Sequence, residues 1–413
     1  MTWLLPATPG PNHECSVANL TTRVLSLQPF GPAGPRPRYQ RLLTISDLLA
    51  AYDGYVVTVT RVTPAQAEEI ALRYYGVNGT AERLAAEHDD TFRLVTSAGT
   101  SRLLKVSVAG PAAGQVSFQT AVLLHLAAAA PELPVQRVTA ALDGAPEALI
   151  SVGEGPARLV RMTSWLDGEL LGRGAADAAL RRDVGATLAR LNVALRGLRH
   201  PGARRTHLWD LQNFWRLRAL LDELPGSGLL PEVAQATRDR IGAAPGGLRS
   251  TLEDCLDRFD AVVRPVLTVT ETQVIHTDFH GDNLLTDGSR ITGILDFGDA
   301  LAGPVAMDVG VAACYQLGPG PGPLAPAVDV IAGYHAGDPL SATDLALAAE
   351  FIVARVAARI IVSQYNAMRE PANRGYLLRR TPQAIGHFAA LRLLTPDEIA
   401  RTLRAACGVP SGM

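Results

Sequence analysis

The chain has 413 residues, of which 47% are hydrophobic and 19% charged; it is long enough for one large core or two moderate ones and too apolar to be disordered throughout. A formal net charge of −2, with basic residues spread along the chain, argues against a nucleic-acid-binding face. Cys15, Cys255, Cys314 and Cys407 lie far apart with no C-x-x-C pair, which argues against a disulfide framework or zinc site and fits a reducing cytoplasm.

Residues 1–60 read as a Pro-rich extension, expected to be flexible. Pro6, Pro9, Pro11, Pro29, Pro32, Pro35 and Pro37 break regular elements, and only Ile45 to Tyr52 could form a short helix. The first ten residues lack the positive region and apolar core of a signal peptide. From Pro64 to Tyr75 the apolar spacing predicts a helix, with Thr63 as N-cap and Pro64 in the first turn. Thr91 to Ser97 and Ser101 to Ser107, joined by Ala98-Gly99-Thr100, predict an antiparallel hairpin. Gln115 to Ala130 has helical periodicity. Leu133 to Leu142, Ala148 to Val152 and Arg158 to Thr163 return to strand-like composition.

Beyond Ser164 the chain turns mainly helical. Helices are expected at Ala175–Leu198, Asp210–Leu224, Leu248–Val263, Ala306–Leu317, Thr343–Met368 and Pro396–Ala406, with a Gly-Pro loop at Gly318–Pro323. The most apolar stretch, Leu345 to Tyr365, carries Glu350, Arg355 and Arg359 and so is not read as a membrane span. The pattern predicts an α+β, bilobal fold. A small antiparallel β lobe over 61–163 would precede a larger, mainly helical lobe over 164–413, with a ligand cleft between them.

Two apolar runs in Val274 to Asp299 each end in an acidic residue and flank a short polar loop. His276-x-Asp278-x-x-x-x-Asn283 followed by Asp296-Phe297-Gly298 is the order that kinase-type phosphoryl transfer needs. In that reading Asp278 is the catalytic base orienting the attacking hydroxyl. Asn283 and Asp296 supply hard oxygens to Mg²⁺. His276 supports the site by bonding loop backbone and bracing the Asp296-Phe-Gly turn, and His280 is either a loop-ordering or substrate-edge residue or a plain loop histidine. Of 38 basic residues only Lys105 is lysine. It falls on the second strand of the predicted hairpin, where a compact ammonium reaches nucleotide phosphates and a broad guanidinium fits less well.

On these residues the chain resembles the aminoglycoside phosphotransferase-like, protein-kinase-like superfamily, closest to the hydroxylysine kinase group and the kinase domains fused to class III aminotransferases. The matching pieces are Ala86-Glu-His-Asp-Asp-Thr-Phe-Arg-Leu94, Leu103-Leu-Lys-Val106, Arg161-Met-Thr-Ser-Trp-Leu-Asp-Gly168, His207-Leu-Trp-Asp-Leu211 and the segment from Val274. The resemblance implies Mg²⁺ and a nucleoside triphosphate between the lobes, with Thr91 near a phosphate-covering loop and Met162 near the purine hinge. Hydroxylysine kinases use GTP, so ATP and GTP both stay open as donor. Gln119 stands where many kinases place a glutamate that pairs with the lysine.

The resemblance also favours a small hydroxylated amine as acceptor, 5-hydroxylysine first. An amine would want carboxylates nearby, and Asp299 and Asp210 are expected to supply them because each follows a motif; Asp308 and Glu350 are read as capping or solvated. An aminoglycoside-type antibiotic acceptor and a nucleotide-binding pseudokinase module are the alternatives. No nucleic-acid or membrane partner is expected.

Overall fold

The computed structural model describes residues 61–85, 89–108, 113–151, 157–225, 229–241, 245–320 and 322–410. The expected extension over 1–60 and its short helix lie outside these residues, as do residues 86–88 of the first motif and Pro321 of the Gly-Pro loop.

Helix α1, Pro64–Tyr75, forms where the spacing predicts it. The Thr63 hydroxyl accepts the Gln66 N–H at 3.2 Å, and the Gln66 side chain accepts the Thr63 N–H at 2.8 Å. Gly76, at φ 66°, ends the helix in the left-handed conformation that glycine adopts without strain. Its buried stripe, Ala67, Ile70, Ala71 and Tyr75, covers one face of a six-stranded sheet.

That sheet contains β1 (Gly79–Leu84), β2 (Asp90–Thr96), β3 (Ser101–Val108), β4 (Val138–Thr139), β5 (Ala148–Ile150) and β6 (Arg158–Ser164), ordered β1-β2-β3-β6-β4 with β5 also on β6. The predicted hairpin is β2–β3; β1 was not expected. Alternation along the strands sends Phe92, Leu94, Leu104, Val106, Val160 and Met162 into the core beneath α1. Helix α2, Ala113–Ala129, packs beside β3 and β4. Buried Asp90 joins the lobe's parts: it pairs with Arg83 at 2.8 Å and Arg158 at 2.9 Å, and accepts the Val62 N–H at 3.0 Å. Breaking such a buried network costs about 3–5 kcal/mol.

The larger lobe combines helices with short ladders. β7 (Glu169–Leu170), β9 (Leu284–Thr286) and β10 (Ile291–Ile294) form one antiparallel set, while β8 (Gln273–Ile275) pairs with β11 (Leu301–Gly303). The helices used below are α3 (Ala178–Leu195), α4 (Val305–Cys314), α5 (Leu324–Gly337), α6 (Ala342–Arg369) and α7 (Thr381–Leu391). α6 runs through the lobe's core and is buried along most of its length.

Helices at Pro231–Ile241, Arg374–Leu378, α5 and α7 were not expected. α5 escapes a periodicity reading because it is apolar on several faces and carries Gly333, whose missing side chain lets Arg182 of α3 approach closely. The predicted helix at Asp210–Leu224 begins instead as a 3₁₀ segment, Leu211–Leu217, kinked at Asn213, before turning α-helical over Arg218–Glu223. Among the described residues no helix is long and apolar enough to cross a membrane.

Candidate active site

The loop from His276 to Asn283 connects β8 to β9, and Asp296 follows β10, so two short ladders bring these side chains together. His276 is fully buried. Its Nε2–H donates to the Leu295 carbonyl at 3.0 Å, and its Nδ1 accepts the Asp278 N–H at 3.3 Å. Its ring lies 4.9 Å from that of Phe297, so it links the loop to the Asp296-Phe297-Gly298 turn.

Two residues here hold the left-handed backbone conformation, Thr277 at φ 65° and Asp296 at φ 54°. For a β-branched residue this costs about 1–3 kcal/mol and persists only when the surroundings enforce it. Buried Asp308 of α4 does so: its carboxylate accepts the His276 N–H at 3.2 Å and the Thr277 N–H at 2.7 Å. The Thr277 hydroxyl donates to the Asp299 carbonyl at 2.8 Å. Burial pushes the Asp308 carboxyl above its ordinary range.

Asp278 is the most heavily bonded carboxylate of the site. Oδ1 accepts from the Arg355 guanidinium at 2.6 Å, and Oδ2 accepts from His280 Nε2 at 3.0 Å and Asn283 Nδ2 at 2.8 Å. Burial alone would raise this carboxyl, but His280, Arg355 and His276 outweigh it and hold it well below the usual carboxylate range. The His280 ring lies 4.4 Å from that of Tyr315, which fixes its approach to Asp278.

Arg355 of α6 is 2% exposed and was not foreseen at the site. It also donates to the Tyr315 hydroxyl at 3.1 Å and lies 4.8 Å over the Trp209 ring. Its signal in the sequence is an arginine inside an otherwise apolar helix.

Across the sheet, Lys105 on β3 stands in register with Thr91 on β2 and Arg161 on β6. Its charge is the main reason that the solvent-exposed Asp296 carboxyl titrates below its ordinary value. Arg161, rather than Lys105, takes Gln119: Nη2 donates to Gln119 Oε1 at 2.9 Å and Nη1 to the Thr120 hydroxyl at 3.1 Å. Beside Lys105, buried Thr91 keeps a hydroxyl with no partner among the described residues.

The donor set suits a magnesium ion. Asn283 spends its amide nitrogen on Asp278, and among the described residues no donor reaches its Oδ1. Asp296 gives Oδ1 to the Gly298 N–H at 2.9 Å, and no described donor reaches Oδ2. Two hard oxygens suffice for an ion that fills its other positions with water and phosphate. No group of three or more His, Cys, Asp or Glu forms a metal cage among the described residues.

The other expected contacts stand in different surroundings. Met162 lies in the apolar core beneath α1, because strand alternation turns it away from the face that Lys105 and Arg161 share. Asp210 is 3% exposed, and its oxygens accept from Gln212 N, Gln212 Nε2 and Asn213 Nδ2; it caps the 3₁₀ segment. Asp299 lies beside the loop, with its carboxylate 3.8 Å from Arg205 and its carbonyl taken by Thr277. Glu350 pairs with Arg258 at 2.6 Å.

The profile of the phosphotransferase enzyme family matches residues 80–347. A hydroxylysine kinase of Danio rerio is 24% identical over 354 residues, spanning 82% of this chain and 93% of that protein. The hydroxylysine kinase of Mus musculus is 24% identical over 279 residues, 64% of this chain and 69% of the relative. Among solved structures, a microcompartment-associated aminopropanol kinase superimposes with TM-score 0.56 at 17% identity, covering 82% of this chain and 97% of that one. An amicoumacin kinase in complex with AMP-PNP and Ca²⁺ gives 0.55 at 15%, covering 79% and 96%. These likenesses establish the bilobal kinase-like fold.

Proposed function

We propose, from a chain that belongs to the phosphotransferase enzyme family, a kinase that moves the γ-phosphate of ATP or GTP onto a hydroxyl of a small amine-bearing metabolite, 5-hydroxylysine first among them. The observation that carries this reading is the loop geometry: Asn283 bonds Asp278 at 2.8 Å while His276 bonds the Leu295 carbonyl next to Asp296 at 3.0 Å, so one loop gathers all three oxygen-bearing side chains. The names of the curated relatives support the acceptor, at identities near one residue in four.

In this reading Lys105 binds the phosphates as a point charge, with Arg161 next to it on β6. Asn283 Oδ1 and the Asp296 carboxylate would hold Mg²⁺, which when bound neutralises charge on the phosphate oxygens. Asp278 receives the acceptor hydroxyl. A carboxylate held so far below its ordinary range is a weak base, so its work is to orient the hydroxyl in line and to accept its proton late in the transfer. His280, Asn283 and Arg355 fix its two oxygens, and His276 holds the loop backbone under it. The strained Thr277, held by Asp308, sets the loop's direction.

Nucleotide consumption measured with ATP and with GTP, across a panel of hydroxy-amino acids and amino alcohols, tests the reading. Turnover that requires an acceptor supports it. Release of phosphate without an acceptor, or binding with no turnover on any acceptor, rules it out.

A further inference from the structure

Next to the catalytic loop lies a cavity of about 300 Å³, walled by His280 to Asp282, by Tyr315 and Arg359, and by Arg380, Gln383 and His387 at α7. An amine-bearing acceptor leads one to expect acidic walls. These are basic. Asp282, the acid in the wall, is already paired with Arg380 at 2.7 Å. Asp278 is paired with Arg355 at 2.6 Å.

Arg359 is left over. It is 8% exposed, it lies 4.8 Å over the Tyr315 ring, and among the described residues no carboxylate forms an ion pair with it. A guanidinium taken out of water without a counter-ion is costly, and a ring face offsets only part of that cost. His387, buried next to it, keeps Nδ1 without a partner among the described residues. Burial and the Arg359 charge hold His387 below its ordinary pKa, so it stays neutral and can donate or accept. The cavity therefore presents a single uncompensated positive charge with polar side chains around it.

We propose that Arg359 binds a carboxylate of the acceptor, making the substrate a hydroxy acid rather than a simple amino alcohol or aminoglycoside. One unpaired cation matches one negative charge, which favours a carboxylate over a phosphate dianion, and the guanidinium fork fits a carboxylate's two oxygens. Arg355 and Arg359 lie on one face of α6, one turn or about 6 Å of rise apart. With the hydroxyl at Asp278, beside Arg355, the acceptor carries its carboxylate several carbons from the reacting oxygen. The inference rests on the kinase reading for the place of the hydroxyl.

The test compares 5-hydroxylysine with its methyl ester, in which the carboxylate is neutral, and L-lysine with cadaverine, which lacks the carboxylate. In the wild-type enzyme the ester should raise KM about tenfold to a hundredfold, the usual effect of losing a hydrogen bond to a charged group. In Arg359→Gln the ratio of ester to acid KM should fall to about one, and Arg359→Lys should restore part of it. Calorimetry should show L-lysine binding more tightly than cadaverine, with the difference lost in Arg359→Gln. Equal KM for acid and ester in the wild type overturns the carboxylate site while the kinase stands; that comparison needs no variant to fold. If no acceptor is phosphorylated but L-lysine still binds through Arg359, the kinase reading fails and the site stands. Neither turnover nor Arg359-dependent binding overturns both.

Discussion

Replacing Asp278 with alanine should do two separable kinds of damage. Arg355 is 2% exposed, and its Nε and Nη1 have no partner among the described residues, so its counter-ion is Asp278, 2.6 Å away. Removing one member of a buried pair costs about 3–5 kcal/mol, and the Trp209 and Tyr315 rings return about 1–2 of that, leaving a loss near 3 kcal/mol. The opposite deletion, Arg355→Met, is milder. Asp278 is 20% exposed and keeps His280 and Asn283 as donors, so about 1–2 kcal/mol is lost. The double variant buries no uncompensated charge. Its loss should be about 2 kcal/mol instead of the sum, a coupling of roughly 2–3 kcal/mol. Thermal unfolding reads this directly: Asp278→Ala should melt about 3–5 °C below wild type, and adding Arg355→Met should bring part of that back. Turnover should stay abolished in both. Additivity of the single losses to within about 0.5 kcal/mol would refute the pairing argument.

Lys105→Arg should lower kcat/KM about tenfold or more, because the guanidinium fork cannot take the place of a point charge between Thr91 and Arg161; unchanged kinetics would mean that the chain's lone lysine is incidental. At the crossing of α3 and α5, a Cβ on Gly185 would overlap the Val330 carbonyl and lie 2.6 Å from the Tyr334 nitrogen. Gly185→Ala should therefore cost about 3 kcal/mol despite alanine's better helix propensity, and a melting temperature at or above wild type would contradict that packing. Burial would raise the Asp90 carboxyl, but Val62, Arg83 and Arg158 outweigh it and hold it below its unfolded value. The stabilisation is then fully present above about pH 4 and is lost as pH falls through the lower folded value. Asp90→Asn should destabilise strongly at neutral pH and progressively less in acid. A loss that does not vary with pH, followed by urea unfolding, would be inconsistent with that linkage.

Much of the small lobe is legible in the sequence because local signals agree there. Thr63 and Pro64 mark the start of α1, and Ala98-Gly99-Thr100 turns one β-rich run back on the next. That the loop residues come together was legible for another reason: His276, Asp278, Asn283 and Asp296 sit at the ends of short apolar runs, and the ladders those runs form bring them side by side. Residues whose position depends on tertiary packing were not. Arg355 and Arg359 stand out in the sequence only as charges that exclude a membrane span, yet one reaches Asp278 and the other lines the neighbouring cavity. Asp210 follows a motif but is consumed as a cap, a competition that depends on where Gln212 and Asn213 turn. Met162 could have been placed by alternation, since a residue next to Arg161 on a strand faces the other way.

The central claim, that Lys105, Asn283, Asp296 and Asp278 serve one triphosphate in different roles, is tested most directly by magnesium-nucleotide affinity in two variants. Calorimetric titration should find binding greatly weakened in Asp296→Ala and near wild type in Asp278→Ala, with turnover abolished in both. Equal nucleotide affinity in the two variants, together with retained turnover, would contradict it.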